Sequence, residues 1–393
     1  MSIIGAGASA LMLAMRLDKQ KFEVTVYEQN NSAGKKFLVA GHGGLNLTHS
    51  ESPEQFIQRY TPHTFLQTVF NTFTNQDFMA WLEQQGIPTF VGSSGRVFPQ
   101  KGMKPAQVLK RFVELAMNNG TEFKYKHKWL GSDLHENLLF QTSQEIIRVK
   151  RDLVIFCLGG ASWPVTGSNQ DWLSYFNEKQ IRTLPFESSN CTVLVNWPKS
   201  ILDKAEGKAL KNLGVTCGNR QVLGEVVLTK MGLEGSGVYP LSPAIRTQLK
   251  AQGKALLELD FKPGLTLDQV IEKLNRKAKN TGEALKQHLH LSDAQIQLIK
   301  GTLSKEDFLD KTCLAKKIKQ LHIEALGLGP IDDAISTVGG IDLAEINEAF
   351  ELKKWPQHYA LGEMLNYDAP TGGYLLQSCF SMGYFLAEVL NRK

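Results

Sequence analysis

The feature that most restricts the fold is a glycine turn, Gly5 to Ala10, placed between two short apolar segments near the start of the chain. It has the G-x-G-x-x-A form of the dinucleotide fingerprint, with a strand-like segment before it and a helix-like segment after it. Gly5 permits the tight turn, the missing Cβ of Gly7 lets a pyrophosphate approach the backbone, and Ala10 lets the helix lie close to the strand. The pattern predicts a βαβ unit that binds a dinucleotide.

The second apolar segment, 22–27, ends in Glu28, at about the twenty-residue offset from which a carboxylate reaches a ribose hydroxyl. The helix that begins at Ala8 directs its free N–H groups and its positive dipole end at the phosphates. We therefore expect dinucleotide contacts from Gly5, Ala6, Gly7, Ala8, Ser9, Glu28 and Gln29. The alternative is a plain glycine-rich turn of an α/β protein.

The composition is that of an ordinary globular protein. Of the 393 residues, 42% are hydrophobic and 21% are charged, and the net charge of +5 does not by itself imply a polyanionic partner. The five cysteines include no C-x-x-C pair, which argues against a zinc ribbon or a redox disulfide. We therefore predict no metal site and a reducing, cytoplasmic environment.

Residues 2–15 are apolar like the core of a signal peptide, but no basic residue precedes them and the fingerprint occupies them. We therefore interpret them as part of the fold. Only residues 1–4 are available for the first strand, which leaves open whether the natural chain begins upstream. No apolar run approaches the roughly 20 residues that a membrane helix needs, so no membrane association is predicted.

Changes of pattern divide the chain into three parts. Residues 1–185 and 336–393 are predicted to form one α/β domain, and residues 186–335 an insert with β-type runs up to 262 and helical patterns over 263–325. Within the first part, 30–50 is predicted to be a loop because it is rich in glycine. Residues 53–86 have helical spacing, and their aromatic side chains are predicted to pack in the core.

Two later segments fit the same ligand as the opening turn. The continuous apolar run 152–157, typical of a strand buried on both faces, ends in Gly159 and Gly160. Residues 362–377 hold a second glycine-rich segment, directly before a last helix predicted over 375–390. Because the two ends of the chain then share one site, the ligand is interpreted as FAD rather than NAD.

Several motifs resemble those of the BaiN/RdsA-type (YhiN-like) family of NAD(P)/FAD-dependent oxidoreductases. They occur in the family's order along nearly the whole chain: GKKFLVAGHGGLNLTHS from residue 34, GRVFP at 95–99, CLGGASWPVTGS at 157–168, LTKMGLEGSG at 228–237 and TVGGI at 337–341. The resemblance implies a discontinuous Rossmann-like FAD-binding domain, interrupted by a small β-barrel and a helical bundle. It also implies two kinds of activity, reduction of unsaturated steroid-like rings and oxidation of an amino-ketone.

The resemblance also places further residues near the cofactor. The loop from Gly41 to Asn46 is expected beside the flavin ring or the ribityl chain, and the N-terminus of the last helix is expected to face N1 and O2 of the ring, where negative charge develops on reduction. The remaining expected contacts are Lys36, Gly43, Gly44, Leu45, Asn46, Thr48, Gly159, Gly160, Gly362, Glu363, Asp368, Gly372, Gly373, Tyr374 and Leu375.

Three of these residues have a second interpretation. Asp368 is otherwise a turn residue before a proline, and Glu363 otherwise caps local backbone. His42 is the candidate proton donor or acceptor for catalysis, and otherwise an ordinary loop histidine.

The chain departs from the family pattern at informative positions. Where the more common loop reads GGGRCN, this chain has Gly44 in place of the arginine and Leu45 in place of the cysteine. The threonine of the insert motif is followed by Lys230 rather than by histidine. We therefore expect a divergent subgroup, to which the substrates of other members do not transfer.

The first functional hypothesis is an FAD-dependent oxidoreductase of a small organic substrate. No second G-x-G-x-x-G is present, so NAD(P)H is expected to dock only transiently. The alternative is a flavoprotein that binds nucleic acid for RNA modification, because residues 262–322 carry 12 basic and 7 acidic residues, a net +5. Aromatic residues for base stacking are nearly absent there, so a nucleic-acid partner is not expected. A catalytically inert flavin-binding module is a third reading.

Overall fold

The computed structural model describes residues 1–40, 44–150 and 152–393, and within them the chain forms two compact units. One unit comprises Met1–Glu187 and Ile335–Lys393, and the other comprises Ser188–Ala334. The predicted candidate residues from both ends of the chain thus belong to one unit.

The strands are, in chain order, β1 (Ser2–Ile4), β2 (Thr25–Glu28), β3 (Thr48–His49), β4 (Thr89–Val91), β5 (Arg96–Pro99), β6 (Glu122–Tyr125), β7 (Lys128–Ser132), β8 (Leu138–Gln141), β9 (Ile146–Val149), β10 (Val154–Phe156), β11 (Thr183–Ser189), β12 (Val193–Leu194), β13 (Ala209–Cys217), β14 (Arg220–Leu228), β15 (Gly232–Glu234), β16 (Ala255–Asp260), β17 (Leu321–Ala325), β18 (Gly327–Leu328), β19 (Ser336–Ile341) and β20 (His358–Ala360).

The α-helices are α1 (Ala8–Arg16), α2 (Lys35–Ala40), α3 (Pro53–Ile57), α4 (Gln67–Thr72), α5 (Asn75–Gln84), α6 (Pro105–Asn118), α7 (Trp172–Glu178), α8 (Lys199–Ala205), α9 (Ser242–Gln252), α10 (Leu267–Asn275), α11 (Thr281–Leu289), α12 (Asp293–Gly301), α13 (Lys305–Leu309), α14 (Lys311–Lys319) and α15 (Tyr374–Asn391). Short 3₁₀ helices lie at His63–Leu66, Pro164–Thr166, Tyr239–Leu241, Ile331–Asp333, Leu343–Glu345 and Gly362–Met364. No helix in the described part of the chain is both long and apolar enough to cross a bilayer.

The first unit is built on a parallel sheet with strand order β20-β10-β1-β2-β6. Its three adjacent strands β20, β10 and β1 are buried along their whole length, as expected for a sheet covered on both faces. The continuous apolar run 152–157 supplies β10, which pairs with β1 on one side and with β20 on the other. The expected Rossmann-like α/β fold is therefore confirmed.

Helices α1 and α15 pack directly on each other because the last helix has a glycine at the crossing. A Cβ on Gly383 would lie 2.4 Å from the backbone oxygen of Ser9, a distance that no larger residue tolerates. The helix that follows the fingerprint is thus fixed against the last helix of the chain.

The prediction of a structureless loop over 30–50 is wrong. Helix α2 and strand β3 lie within this range, because its glycines are confined to one part and the preceding KKFLVA is a good helix sequence. The side chain of Phe37 is buried and makes an edge contact with Phe112 of α6, with ring centroids 6.0 Å apart. This packing fixes the helix despite its short length.

The helical segment predicted over 53–86 is present as three shorter helices, α3, α4 and α5. Thr74 is the N-cap of α5 and forms a reciprocal capping box with Asp77. Because this cap starts a new helix, it explains the break between α4 and α5. The expected core role of its aromatic side chains is confirmed for Phe56, Phe70 and Phe78, which are buried.

The second unit contains an antiparallel sheet with strand order β17-β16-β13-β14-β15-β12-β18. The helices from α10 to α14 follow its strand β16. Each begins at a residue whose side chain accepts a backbone N–H of the first turn: Thr266, Asn280, Ser292, Ser304 and Asp310. These caps explain why a polar-rich segment still forms regular short helices.

Candidate cofactor site

Two glycines of the turn differ in their role: Gly5 is needed for the fold, whereas Gly7 leaves space that a ligand can occupy. Gly5 has φ +93°, and a Cβ there would lie 2.3 Å from the backbone oxygen of Cys157. Gly7 has φ −83°, and a Cβ there would meet no atom within 4 Å. Gly7 is the N-cap residue of α1, and no side chain caps the first N–H groups of this helix. The turn thus offers open space at a positive helix end.

Glu28 is tied to this turn. Its Oε2 accepts a hydrogen bond from the backbone N–H of Ala6 at 2.9 Å, and its Oε1 accepts from the backbone and side-chain N–H groups of Asn30 at 2.8 and 2.7 Å. The expected cofactor contact Gln29 is arranged differently, because its exposed side chain donates to the backbone oxygen of Gly167 at 2.6 Å. Glu28 is therefore held beside the glycine turn, as a ribose-binding carboxylate requires.

A partly buried ion pair brings together two residues that the sequence placed separately at the cofactor. Nζ of Lys36 lies 2.7 Å from Oε2 of Glu363, whose side chain is only 7% exposed. The same Nζ of Lys36 also donates to Oγ of Ser162 at 2.7 Å. The other carboxylate oxygen of Glu363 accepts from the backbone N–H of Thr337 at 3.0 Å. The pair joins α2 to the turn after β20, and Glu363 thus binds protein groups from two other parts of the chain, Lys36 and Thr337.

The glycines after β10 allow these groups to approach. A Cβ on Gly160 would lie 2.2 Å from Oγ1 of Thr337 and 2.7 Å from the carboxylate carbon of Glu363. Gly159 has φ +75°, which favours glycine at this position. Thr337 belongs to the TVGGI motif, but no local sequence pattern indicates that its hydroxyl accepts a hydrogen bond from the backbone N–H of Ala161 at 3.2 Å.

Thr48, the first residue of β3, lies against the N-terminus of α15. A Cβ on Gly373, which has φ +97°, would lie 2.7 Å from the backbone of Thr48. Gly44 faces the ring of Phe98, and Leu45 is buried. Two buried polar atoms here, Oγ1 of Thr48 and Oδ1 of Asn46, have no hydrogen-bond partner among the residues that the structure describes. His42 and Gly43, and Gly41 before them, lie outside the described residues.

Tyr374 begins α15, but its hydroxyl is committed to the protein. It donates to Oε1 of Glu51 at 2.5 Å, and the imidazole of His49 stacks on its ring at 5.5 Å. Arg59 donates to both oxygens of Glu51, the shortest contact being 2.7 Å. Burial, together with the hydrogen bond to Glu51, raises the pKa of Tyr374 far above its usual range. Tyr374 can thus serve a cofactor through its backbone N–H, but its hydroxyl keeps its proton.

The lowered pKa of Glu51 predicts how acid changes the stability that its contacts with Tyr374 and Arg59 provide. Burial alone would raise the pKa of Glu51, but hydrogen bonds from Arg59 and Tyr374 outweigh it and the pKa is lowered below the ordinary 4.5. A lowered pKa gives stability that is fully present above pH 4.5 and is lost as the pH falls through the lowered value.

We expect Glu51→Gln to lower the free energy of unfolding by about 1.5 kcal/mol near neutral pH. Thermal melting at pH 7 and pH 3 tests this, since the difference from wild type should shrink at pH 3; an equal difference at both pH values would contradict it.

Three expected contacts remain. Gly362 has φ +83°, and a Cβ there would lie 2.7 Å from Oγ of Ser9, so the turn after β20 touches the start of α1. Asp368 is buried, and its backbone exchanges two hydrogen bonds with Thr61 at 2.8 and 3.0 Å. Leu375 is half-buried in the first turn of α15. The structure thus gathers segments from residue 5 to residue 375 in one unit.

These residues fit a flavin dinucleotide. The open space at Gly7 suits a pyrophosphate, Glu28 suits a ribose, and two helix N-termini without side-chain caps suit groups of negative charge. The unpaired oxygen of Asn46 lies in the loop expected beside the ring, and the unpaired oxygen of Thr48 lies two residues further on, in β3.

Comparisons with known proteins agree with this fit. Residues 1–389 match the family described as HI0933-like protein Rossmann domain. The chain is similar to a ribosomal RNA dihydrouridine synthase of Haemophilus influenzae, with 22% identity over 406 residues that cover 100% of this chain and 98% of the relative. It is also similar to the 3-dehydro-bile acid delta(4,6)-reductase of Clostridium scindens, with 24% identity over 97% of this chain and 96% of the relative.

Among solved structures, the chain is similar to the 3-ketosteroid-delta4-(5alpha)-dehydrogenase of Rhodococcus jostii RHA1, with a TM-score of 0.52. The identity is 13%, and the match covers 98% of this chain and 96% of that one, so the likeness concerns the fold. The family resemblance inferred from the sequence motifs is confirmed by the match along almost the whole chain. The chain belongs to the HI0933-like Rossmann family and is a flavin-dependent oxidoreductase.

Proposed function

We propose that this flavoenzyme uses electrons from NAD(P)H to saturate a carbon–carbon double bond conjugated to a carbonyl group in a small organic substrate. The bound flavin would supply hydride transfer, while the protein binds and orients the reactants. The observation that carries the proposal is the joining of the glycine turn, the 44–48 loop and the N-terminus of α15 in one unit. Similarity to a delta(4,6)-reductase over nearly the full chain supports the choice of bond.

In the proposed reaction NAD(P)H and one proton are consumed, the double bond gains two hydrogens, and NAD(P)⁺ is released. The N-terminus of α15 would stabilise the negative charge that accompanies reduction, since Gly373 places no side-chain cap there. Tyr374 cannot supply the proton, because its hydroxyl is bound to Glu51 and burial raises its pKa. His42 stays the proposed proton donor.

A second candidate substrate is a uracil base in RNA, whose ring contains the same type of double bond next to a carbonyl. It is favoured by similarity to ribosomal RNA dihydrouridine synthases over the full chain. The basic segment 262–322 would supply contacts to phosphates. Within it the ring of Phe308 is already covered by the ammonium of Lys300, at 5.8 Å from the ring centroid, which leaves little for base stacking.

Anaerobic titration of the purified yellow protein with NADPH and NADH tests the electron donor. We expect one of them to bleach the visible flavin band completely, and addition of 4-androstene-3,17-dione to restore it. Restoration by uridine-containing ribosomal RNA, with dihydrouridine detected by mass spectrometry, would select the RNA substrate instead. A flavin that neither nucleotide reduces would contradict the proposed donor, and a reduced flavin that neither substrate reoxidises would contradict the proposed reaction.

A further inference from the structure

The side chain of Arg96 lies over Gly372, two residues before the last helix begins. Arg96 is the first residue of β5, where it pairs with His49 of β3. Its Nε is 3.2 Å, and its Cγ 3.7 Å, from the position that a Cβ on Gly372 would occupy. The side chain is half-buried. A guanidinium is therefore held next to the backbone just before the N-terminus of α15.

Within the described ranges, the Arg96 guanidinium makes no hydrogen bond and no ion pair. The carboxylate of this neighbourhood, Glu51, is already occupied, because Arg59 donates to both of its oxygens and Tyr374 donates to one of them. Arg96 is thus an uncompensated positive charge in a partly buried position. Its nitrogens are not among the buried atoms without a partner, so the guanidinium reaches the surface and is open to a ligand anion.

The same corner contains a second positive feature and an unused polar atom. Gly373 precedes α15 without a side-chain cap, so the positive end of an eighteen-residue helix begins beside Arg96. Thr48 contacts Gly373 through its backbone, is fully buried, and its Oγ1 has no partner in the part of the chain that the structure describes. A guanidinium and an uncapped helix N-terminus that lie together without any anion indicate a ligand oxygen with negative charge.

We propose that Arg96, together with the N-terminus of α15, binds the carbonyl oxygen of the flavin that gains negative charge when the flavin is reduced. Arg96 would then set the reduction potential of the flavin by a charge-assisted hydrogen bond. The inference depends on the bound flavin and not on the proposed substrate. The GRVFP motif that contains this arginine thereby receives a chemical role.

Sulfite gives a test that needs no substrate, because it binds reversibly to oxidised flavin and leaves the ring negatively charged. We expect Arg96→Gln to weaken sulfite binding at least tenfold, as loss of a charge-assisted hydrogen bond would. A tenfold loss corresponds to a two-electron potential lower by about 30 mV. Arg96→Lys keeps the charge but loses the planar fork, so it should lie between Arg96→Gln and wild type.

Arg148→Gln is the matched control, because it removes the same charge from a 73% exposed arginine of β9, in a different sheet of the same unit. It should leave sulfite affinity and potential unchanged. Wild-type values in Arg96→Gln would overturn the proposal, and so would an equal shift in Arg148→Gln. If Arg96→Gln fails to fold, Arg96→Lys decides, since wild-type sulfite affinity and potential there would equally overturn it. Failure of the steroid or RNA reaction would leave this result unaffected.

Discussion

A Gly7→Val variant should fold normally and yet contain no flavin. The backbone at Gly7 has φ −83°, which any residue adopts, and a Cβ there meets no protein atom within 4 Å. The valine side chain would instead occupy the space that a pyrophosphate needs beside the first N–H groups of α1. The absorbance ratio of the visible flavin band to the protein band, measured after purification and after incubation with added FAD, checks this expectation.

Gly5→Val is the contrasting variant. A Cβ at Gly5 would lie 2.3 Å from the backbone oxygen of Cys157 and would require φ +93°, so this change should prevent folding. Circular dichroism and melting should therefore separate the two glycines, with Gly7→Val close to wild type without FAD. Normal FAD content in Gly7→Val would refute the placement of the pyrophosphate at this turn.

Glu363→Ala should lower the free energy of unfolding by about 3 kcal/mol, because it leaves the partly buried ammonium of Lys36 without its counter-charge. It also removes the acceptor for the backbone N–H of Thr337. Urea unfolding of the protein without FAD, followed by tryptophan fluorescence, measures the change without any contribution from cofactor binding.

The double variant Lys36→Met with Glu363→Leu separates loss of a contact from burial of an unpaired charge. Replacing both members by apolar residues of similar size should recover most of the lost stability. Glu114→Ala, which breaks the exposed pair with Lys110, is the control and should change stability little. If Glu363→Ala unfolds at the same urea concentration as Glu114→Ala, the ion pair is not a significant source of stability.

The parallel sheet could be predicted from the sequence because its signals are local. The glycine turn, the apolar run that forms β10 and the return of glycines near residue 362 each specify a strand end within a few residues. Helix α2 is not predicted for an equally local reason. Its six residues are followed by several glycines, which dominate the composition of the whole range 30–50. The fold is therefore predictable where the sequence pattern is judged over the length of a single strand or helix.

The contacts of the site could not be predicted in the same way. Lys36 and Glu363 are separated by more than three hundred positions, and no periodicity relates them. Tyr374 was expected at the cofactor, but only the structure shows that Glu51 takes its hydroxyl. Arg96 belonged to a recognised motif, yet the path of its side chain over Gly372 depends on how β3, β5 and α15 are assembled.

The joining of both chain ends in one unit has a consequence for biosynthesis. Strand β20 pairs with β10, and α15 packs on α1, so synthesis must reach α15 before the helix that follows the glycine turn acquires this partner. Residues 188–334 are synthesised earlier and carry their own core. We therefore expect flavin uptake to follow the synthesis of α15, and a product terminated before α15 to be colourless although its fingerprint is intact. Yellow colour would thus report that synthesis has passed α15.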